Sequence, residues 1–260
     1  QYYQADSVIH RLDPRVKLVA TIFYIISLFV VKNWVGYLLA FLFLAWMIHL
    51  SRVPVKFMVK GMKAIVFILL LTVVFNLFLT PGEPLLSIWK LTITREGLQI
   101  AVMMAIRLSF LIMGSSLMTL TTTPNNLTDG LEKLMGPLKV LHVPVHEIAM
   151  MMSIALRFIP ILMAETDKIM KAPLARGADF ASGNLVKKAK SMVPLLVPLF
   201  ISAFRRANDL AMAMEARCYR GGEHRTKMKP LIYQKRDYIA YVILWAYLIA
   251  AIVIGRVLPI

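Results

Sequence analysis

The sequence predicts an all-α membrane protein: about five transmembrane helices, with a cytoplasmic helical region between the fourth and the fifth. Three observations predict it. The 260 residues are 59% hydrophobic, against about 45–50% apolar in soluble domains, and the mean hydropathy is +0.69. The excess is gathered into long apolar blocks. Basic residues crowd into alternate loops.

The blocks give the elements in order. The run 18–31 lies between Lys17 and Lys32. It is short for a span of roughly 20 residues, and both lysines can snorkel to extend its reach. The run 34–50 follows almost at once, so the two read as a helical hairpin. The third span is 64–80, closed by Pro81 and Gly82; the fourth is 97–120 and the fifth 238–258. Trp34, Trp46, Trp89, Trp245 and Tyr238 include aromatics near several ends, where amphipathic rings favour the interface. Strand alternation is not expected anywhere.

Charge orients these spans. Arg11, Arg15 and Lys17 precede the first, and Arg52, Lys56, Lys60 and Lys63 separate the second from the third. Segment 121–237 carries 18 Lys and Arg against 10 Asp and Glu. The other loops are poor in basic residues, so the N-terminus and 121–237 are expected in the cytoplasm and the C-terminus outside. Three regions follow: 1–120 with four transmembrane helices, 121–237 in the cytoplasm, and 238–260 as the last helix. Inside 121–237, the runs 148–163 and 192–204 are apolar but too short to span comfortably, with the polar stretch 164–191 between them. Both read as helices lying under the membrane.

Several function classes are excluded or weakened. Cys218 is the only cysteine, so no intramolecular disulfide and no Cys-rich metal site can form. The net charge of +16 suits anionic lipid or an acidic protein surface, and no nucleic-acid motif accompanies it. A Gly-rich loop ending in Lys-Ser or Lys-Thr is missing, so ATP is not bound by the usual route. His142, His146 and Glu147 invite a metal or catalytic reading, but Pro144 would break a helix between the two His. Arg107 lies within the fourth span. A charge at mid-membrane costs at least about 2.5–3.5 kcal/mol, so it is either functional or snorkels outward from a segment that starts later.

Two triplets stand out. Ala175, Arg176 and Gly177 close one helical stretch; Ala216, Arg217 and Cys218 close another, with Arg220, Gly221 and Gly222 expected to stop the helix. A single arginine there would merely complement a helix dipole. A pair inside one basic segment suggests two docking points, since a guanidinium meets a carboxylate through two parallel hydrogen bonds.

These motifs, with the opening Ser7-Val8-Ile9-His10-Arg11-Leu12-Asp13-Pro14-Arg15-Val16-Lys17, carry a family likeness over essentially the whole chain. The chain resembles the transmembrane T component of energy-coupling factor (ECF) transporters, the vitamin-importing branch of the ATP-binding-cassette superfamily. It departs from that family at Cys218, where Gly is frequent, and at Pro173 ahead of the first triplet. The resemblance implies a non-catalytic, multi-pass subunit of the bacterial cell membrane. Ala175, Arg176, Gly177, Ala216, Arg217 and Cys218 would dock into two cytoplasmic ABC ATPase subunits of the EcfA and EcfA′ type. It also implies an interchangeable substrate-binding S component, for which Met150, Met151, Met152, Ile154, Leu195, Leu196 and Leu199 offer an adaptable apolar surface. No cofactor is expected on this chain; ATP and Mg belong to the partner subunits. The rival expectations are a membrane-embedded lipid-modifying enzyme built on His142, His146 and Glu147, and a permease with its own substrate site.

Overall fold

The computed structural model describes residues 2–63, 65–81, 84–88, 91–175, 185–222, 228 and 230–257. The elements in chain order are α1 (Pro14–Val30), α2 (Trp34–Ser51), α3 (Val55–Lys63), α4 (Val66–Leu79), β1 (Pro84–Ile88), β2 (Leu91–Thr94), α5 (Arg95–Thr121) and α6 (Pro124–Leu134). A 3-10 turn, Gly136–Leu141, then leads to α7 (Val145–Ala175), α8 (Leu185–Ala216) and α9 (Lys235–Val257). Two compact units result: Gln1–Leu134 with Leu231–Ile260, and Met135–Pro230.

The all-α membrane class stands. Helices α2, α5, α9 and the Val145–Lys171 part of α7 are each long and apolar enough to cross a membrane. The α3–α4 pair would add a fifth if counted as one span bent by 64°. Three sequence expectations change. The third apolar run forms only α4, while the basic stretch before it becomes the separate helix α3. The run 148–163, expected to be too short to span, belongs to a helix of 31 residues. Its polar continuation supplies Ala, Glu, Lys and Met, all good helix formers. A β-hairpin also forms where no strand was expected: β1 and β2 pair antiparallel, Ile88 opposite Leu91. Leu91-Thr92-Ile93-Thr94 carries the alternation and β-branching that favour a strand.

In the first unit, α1, α2, α5 and α9 pack around one core that includes Tyr24, Leu28, Tyr37, Leu44, Phe110 and Leu248. Phe43 stacks on Tyr247 at 4.2 Å, and the Tyr247 hydroxyl meets Ser27 Oγ at 2.8 Å. Gly36 admits no side chain against Val31, which keeps the α1–α2 turn tight. Arg107 donates from Nε to the Tyr37 hydroxyl at 2.9 Å and reaches the Val31 carbonyl at 3.5 Å. The Arg107 guanidinium therefore sits level with the α1–α2 turn, and α5 begins about 18 Å earlier along its axis. The segment does not start later than the sequence suggests, since Arg107 lies near the middle of α5 with Tyr37 as its partner.

One end of this unit is tied by the N-terminal motif. Asp13 caps α1, its Oδ1 accepting from the Arg15 amide at 2.9 Å, with Pro14 at the first helical position. Burial pushes the Asp13 carboxyl up, but the side-chain and amide hydrogen bonds from Arg15 outweigh it and hold the group below its ordinary value. Arg15 also lies 3.8 Å above the Tyr233 ring. Asp237, 1% exposed, accepts from the Asp13 amide at 2.9 Å and from the Gln234 amide at 2.8 Å, joining α1 to the start of α9. Lys17 turns inward instead of snorkelling: its Nζ donates to the Thr121 carbonyl at 2.8 Å and the His10 carbonyl at 3.1 Å. That satisfies one of the free carbonyls at the end of α5.

Two predictions follow from this end of the unit. Asp237→Ala strands two amide donors and should lower stability by about 2–4 kcal/mol, read as thermal unfolding in detergent. Arg11→Ala removes only an exposed pair with Asp6 and should leave the transition unchanged. His10 accepts from Ser7 Oγ at Nδ1 (2.7 Å) and donates from Nε2 to the Tyr3 carbonyl (2.9 Å), an arrangement for the neutral ring. Burial holds its pKa below the ordinary value. The neutral ring's contribution is therefore present above about pH 6.5 and is lost as pH falls through the lower folded value. Amide exchange at residues 3–10 should speed up on acidification, and His10→Gln should flatten that dependence.

Candidate functional site

The second unit is built on α7 and α8. Glu165 of α7 pairs with Arg206 of α8 at 3.3 Å. Ile154, Phe158 and Leu162 of α7 line a cavity with Ala203, Ala207 and Leu210 of α8. At the start of α7, His146 packs directly on Gly222, just beyond α8. Position numbers fall in one helix as they rise in the other, so the pair is antiparallel. Ala175 and Arg217 therefore sit at opposite ends of the pair. Met150 stands beside Arg217, and Ala175 closes α7 a further 25 residues along, about 37 Å away at 1.5 Å per residue.

The end of α8 is a Schellman cap. The Tyr219 amide donates to the Met214 carbonyl at 3.0 Å, and the Cys218 amide to the Glu215 carbonyl at 2.8 Å. Cys218 takes the left-handed conformation, φ 54°. The expected stop at Gly221 and Gly222 is thus corrected: the helix ends earlier, at Ala216, and a cysteine occupies the position that glycine usually fills. Gly221 follows with φ 91° and extends the turn. This cap projects Arg217 and leaves Ala216, Arg217 and Cys218 exposed.

Beside the cap lies a cleft of about 580 Å³, lined by Met150, Ser153, Ile154, Arg157, Leu210, Met214 and the turn Arg217–Cys218–Tyr219–Arg220–Gly221. Among the described residues, three guanidinium groups, Arg157, Arg217 and Arg220, share it, and no carboxylate lines it. A concave surface with that charge is suited to a carboxylate side chain, which two guanidinium groups can grip at once.

The sequence-predicted residues divide. Arg217, Cys218, Met150 and Ile154 come together in the cleft. Ala175 is exposed at the end of α7, and Arg176 and Gly177 lie outside the described residues. Met151, Met152 and Leu196 are exposed, Leu199 is half-buried, and Leu195 is buried at 6% exposure, so Leu195 offers no surface as the chain stands. Arg157 sits inside the apolar run 148–163. The signal was its spacing: Met150, Ile154 and Arg157 fall at i, i+4 and i+7, one face of a helix. His142 is exposed beyond the 3-10 turn with φ 58°, while His146 packs on Gly222. Among the described residues, no group of three or more His, Cys, Asp or Glu is placed to hold a metal.

A family model described as cobalt transport protein matches residues 5–228. Curated relatives carry the name energy-coupling factor transporter transmembrane protein EcfT. One from Clostridium kluyveri is 57% identical over 242 residues, covering 92% of this chain and 90% of the relative. One from Thermosediminibacter oceani is 55% identical over 242 residues, covering 93% and 91%. One from Bacillus subtilis is 48% identical over 238 residues, covering 91% and 90%. The chain belongs to the EcfT family. It is thus an ECF transporter transmembrane component.

In an EcfT chain capped at Cys218, relief of the left-handed conformation is worth about 1–2 kcal/mol per residue, less the larger unfolded-state entropy of glycine. Cys218→Gly should therefore raise stability by about 0.5–1 kcal/mol, and the β-branched Cys218→Val should lower it. Thermal unfolding of the two variants beside the parent gives the sign.

Proposed function

We propose that this chain is the coupling subunit of an ECF-type importer. It carries no ATPase activity; it links two cytoplasmic ABC ATPases to a separate substrate-binding S component. The observation that supports the reading is the placement of Ala175 and Arg217 at the far ends of one antiparallel helix pair, about 37 Å apart. One small surface cannot serve both ends, whereas two ATPase subunits, one per end, can. Arg217 meets an acidic groove on one of them, with Arg157 and Arg220 as neighbours; Arg176 meets the other. The exposed Met151, Met152 and Leu196 form the adaptable face offered to S components. Movement of the ATPases on binding and hydrolysing ATP-Mg swings the rigid helix pair and reshapes that face.

The excess of Lys and Arg in 121–237 supports a cytoplasmic helix pair and N-terminus, with the C-terminus outside. In a Cys218→Ser background, Ser87→Cys should react with an impermeant thiol reagent on intact cells, and Ser182→Cys only after permeabilisation. The reverse pattern would put the arginine ends on the wrong side for ATPases.

Removing one partner of a desolvated ion pair typically costs about 2–5 kcal/mol, and an exposed pair about 0–1 kcal/mol. Arg217→Ala and Arg176→Ala should each weaken ATPase binding by at least about thirtyfold while the chain still inserts. Arg217→Glu should be worse, through like-charge repulsion. Lys187→Ala and Lys188→Ala remove charge from the same segment and should be nearly silent. Co-purification with the ATPases and uptake by reconstituted vesicles read these out. Unchanged assembly and uptake in Arg176→Ala/Arg217→Ala would overturn the proposal.

A further inference from the structure

The first unit contains a cavity that the coupling role does not use. It has a volume of about 240 Å³ and lies among α1, α2, α5 and α9 at the end where the N-terminal motif ties the helices. Its walls are almost wholly apolar, with Phe43, Met47, Leu117 and Leu244 among them. Trp46 on α2 and Ile239 on α9 line it and are themselves exposed, at 44% and 59%, which places its mouth on the outer face of the helix bundle.

Its polar end is cationic. Lys17 and Arg236 both line it, and among the described residues no carboxylate does. The Lys17 ammonium has three N–H donors, two of them committed to the His10 and Thr121 carbonyls. Arg236 Nε is buried and finds no hydrogen-bond partner among the described residues. The nearby carboxylates are already engaged. Asp13 is held by Arg15 through both oxygens, and both oxygens of Asp237 accept backbone amides. Two cations therefore face an apolar cavity that opens sideways, with free donor capacity, while the carboxylates of Asp13 and Asp237 lie near Lys17 but off the cavity wall. A buried donor without a partner is costly, and an anion with an apolar tail matches both the cations and the apolar walls.

We infer that this cavity binds one acyl chain of an anionic phospholipid, its phosphate seated between Lys17 and Arg236. The surrounding solvent is lipid, and charge complementarity selects the anionic headgroup over a zwitterionic one. The site is separate from the α7–α8 cleft and does not depend on the coupling role.

The test uses the full chain with Trp34, Trp89 and Trp245 replaced by Phe, leaving Trp46 as the probe. The chain is reconstituted into phosphatidylcholine vesicles containing dibrominated phosphatidylglycerol or dibrominated phosphatidylcholine, and quenching of Trp46 gives the relative binding constant. The expected result is a preference of roughly tenfold for phosphatidylglycerol. Arg236→Gln should reduce the preference to near unity, and Ala240→Phe, which fills the cavity, should abolish it while Arg236 remains. Equal quenching by the two lipids in the parent chain would overturn the proposal, as would a preference that survives both substitutions. Loss of the preference once the ATPases or an S component bind would assign the cavity to a protein segment and overturn it too. The parent measurement decides alone if a variant fails to insert.

Discussion

A buried carboxylate, Asp237, ties together the end of the membrane unit from which α1 and α9 start. It accepts amide hydrogen bonds from Asp13, ahead of α1, and from Gln234, ahead of α9. Helix starts expose amides that nothing inside the helix can satisfy, and near a bilayer such groups are expensive to leave unpaired. Asp13 in turn caps α1 and holds Arg15, whose guanidinium covers Tyr233. Lys17 closes the set by gripping the last carbonyl of α5. Three helices distant in sequence are thus fixed at one level by short-range polar contacts, and the apolar core beyond them packs in the register those contacts set.

The second unit rests on a different constraint. Two helices of 31 and 32 residues lie antiparallel, so whatever tips them must lie far apart. Length here is functional: a helix is a ruler at 1.5 Å per residue. Pro194 and Pro198 lie inside α8, where each removes a helix donor, yet the helix continues to the Schellman turn that presents Arg217. Rigidity at the tip comes from that cap, whose two hydrogen bonds fix the direction in which the arginine leaves the helix.

Much of this was legible in the sequence because apolar run length and arginine placement are one-dimensional signals. The spans 34–50, 97–120 and 238–258 and the helix that ends just before Arg217 needed only spacing and composition, and the family likeness needed the motifs. Other features depend on three-dimensional partners. Lys17 reads as a snorkelling lysine until the Thr121 carbonyl is seen beside it. Arg107 reads as a lone charge within an apolar span until the Tyr37 hydroxyl is seen beside it. The cap fell at Cys218 rather than at the glycines because the hydrogen bonds of a Schellman turn, not glycine content, decide where a helix stops. Arg157 was hidden inside an apolar run, and only its alignment with Met150 and Ile154 puts it in the cleft.

The central claim is that the two ends of the α7–α8 pair engage two different ATPase copies. The most direct measurement places a photo-crosslinking amino acid at Ala175, at Ala216, or at both, in the assembled complex, and weighs the adducts. The account predicts one ATPase captured from each single position and two from the doubly substituted chain. Capture of a single ATPase copy from both positions, or of none, would contradict it.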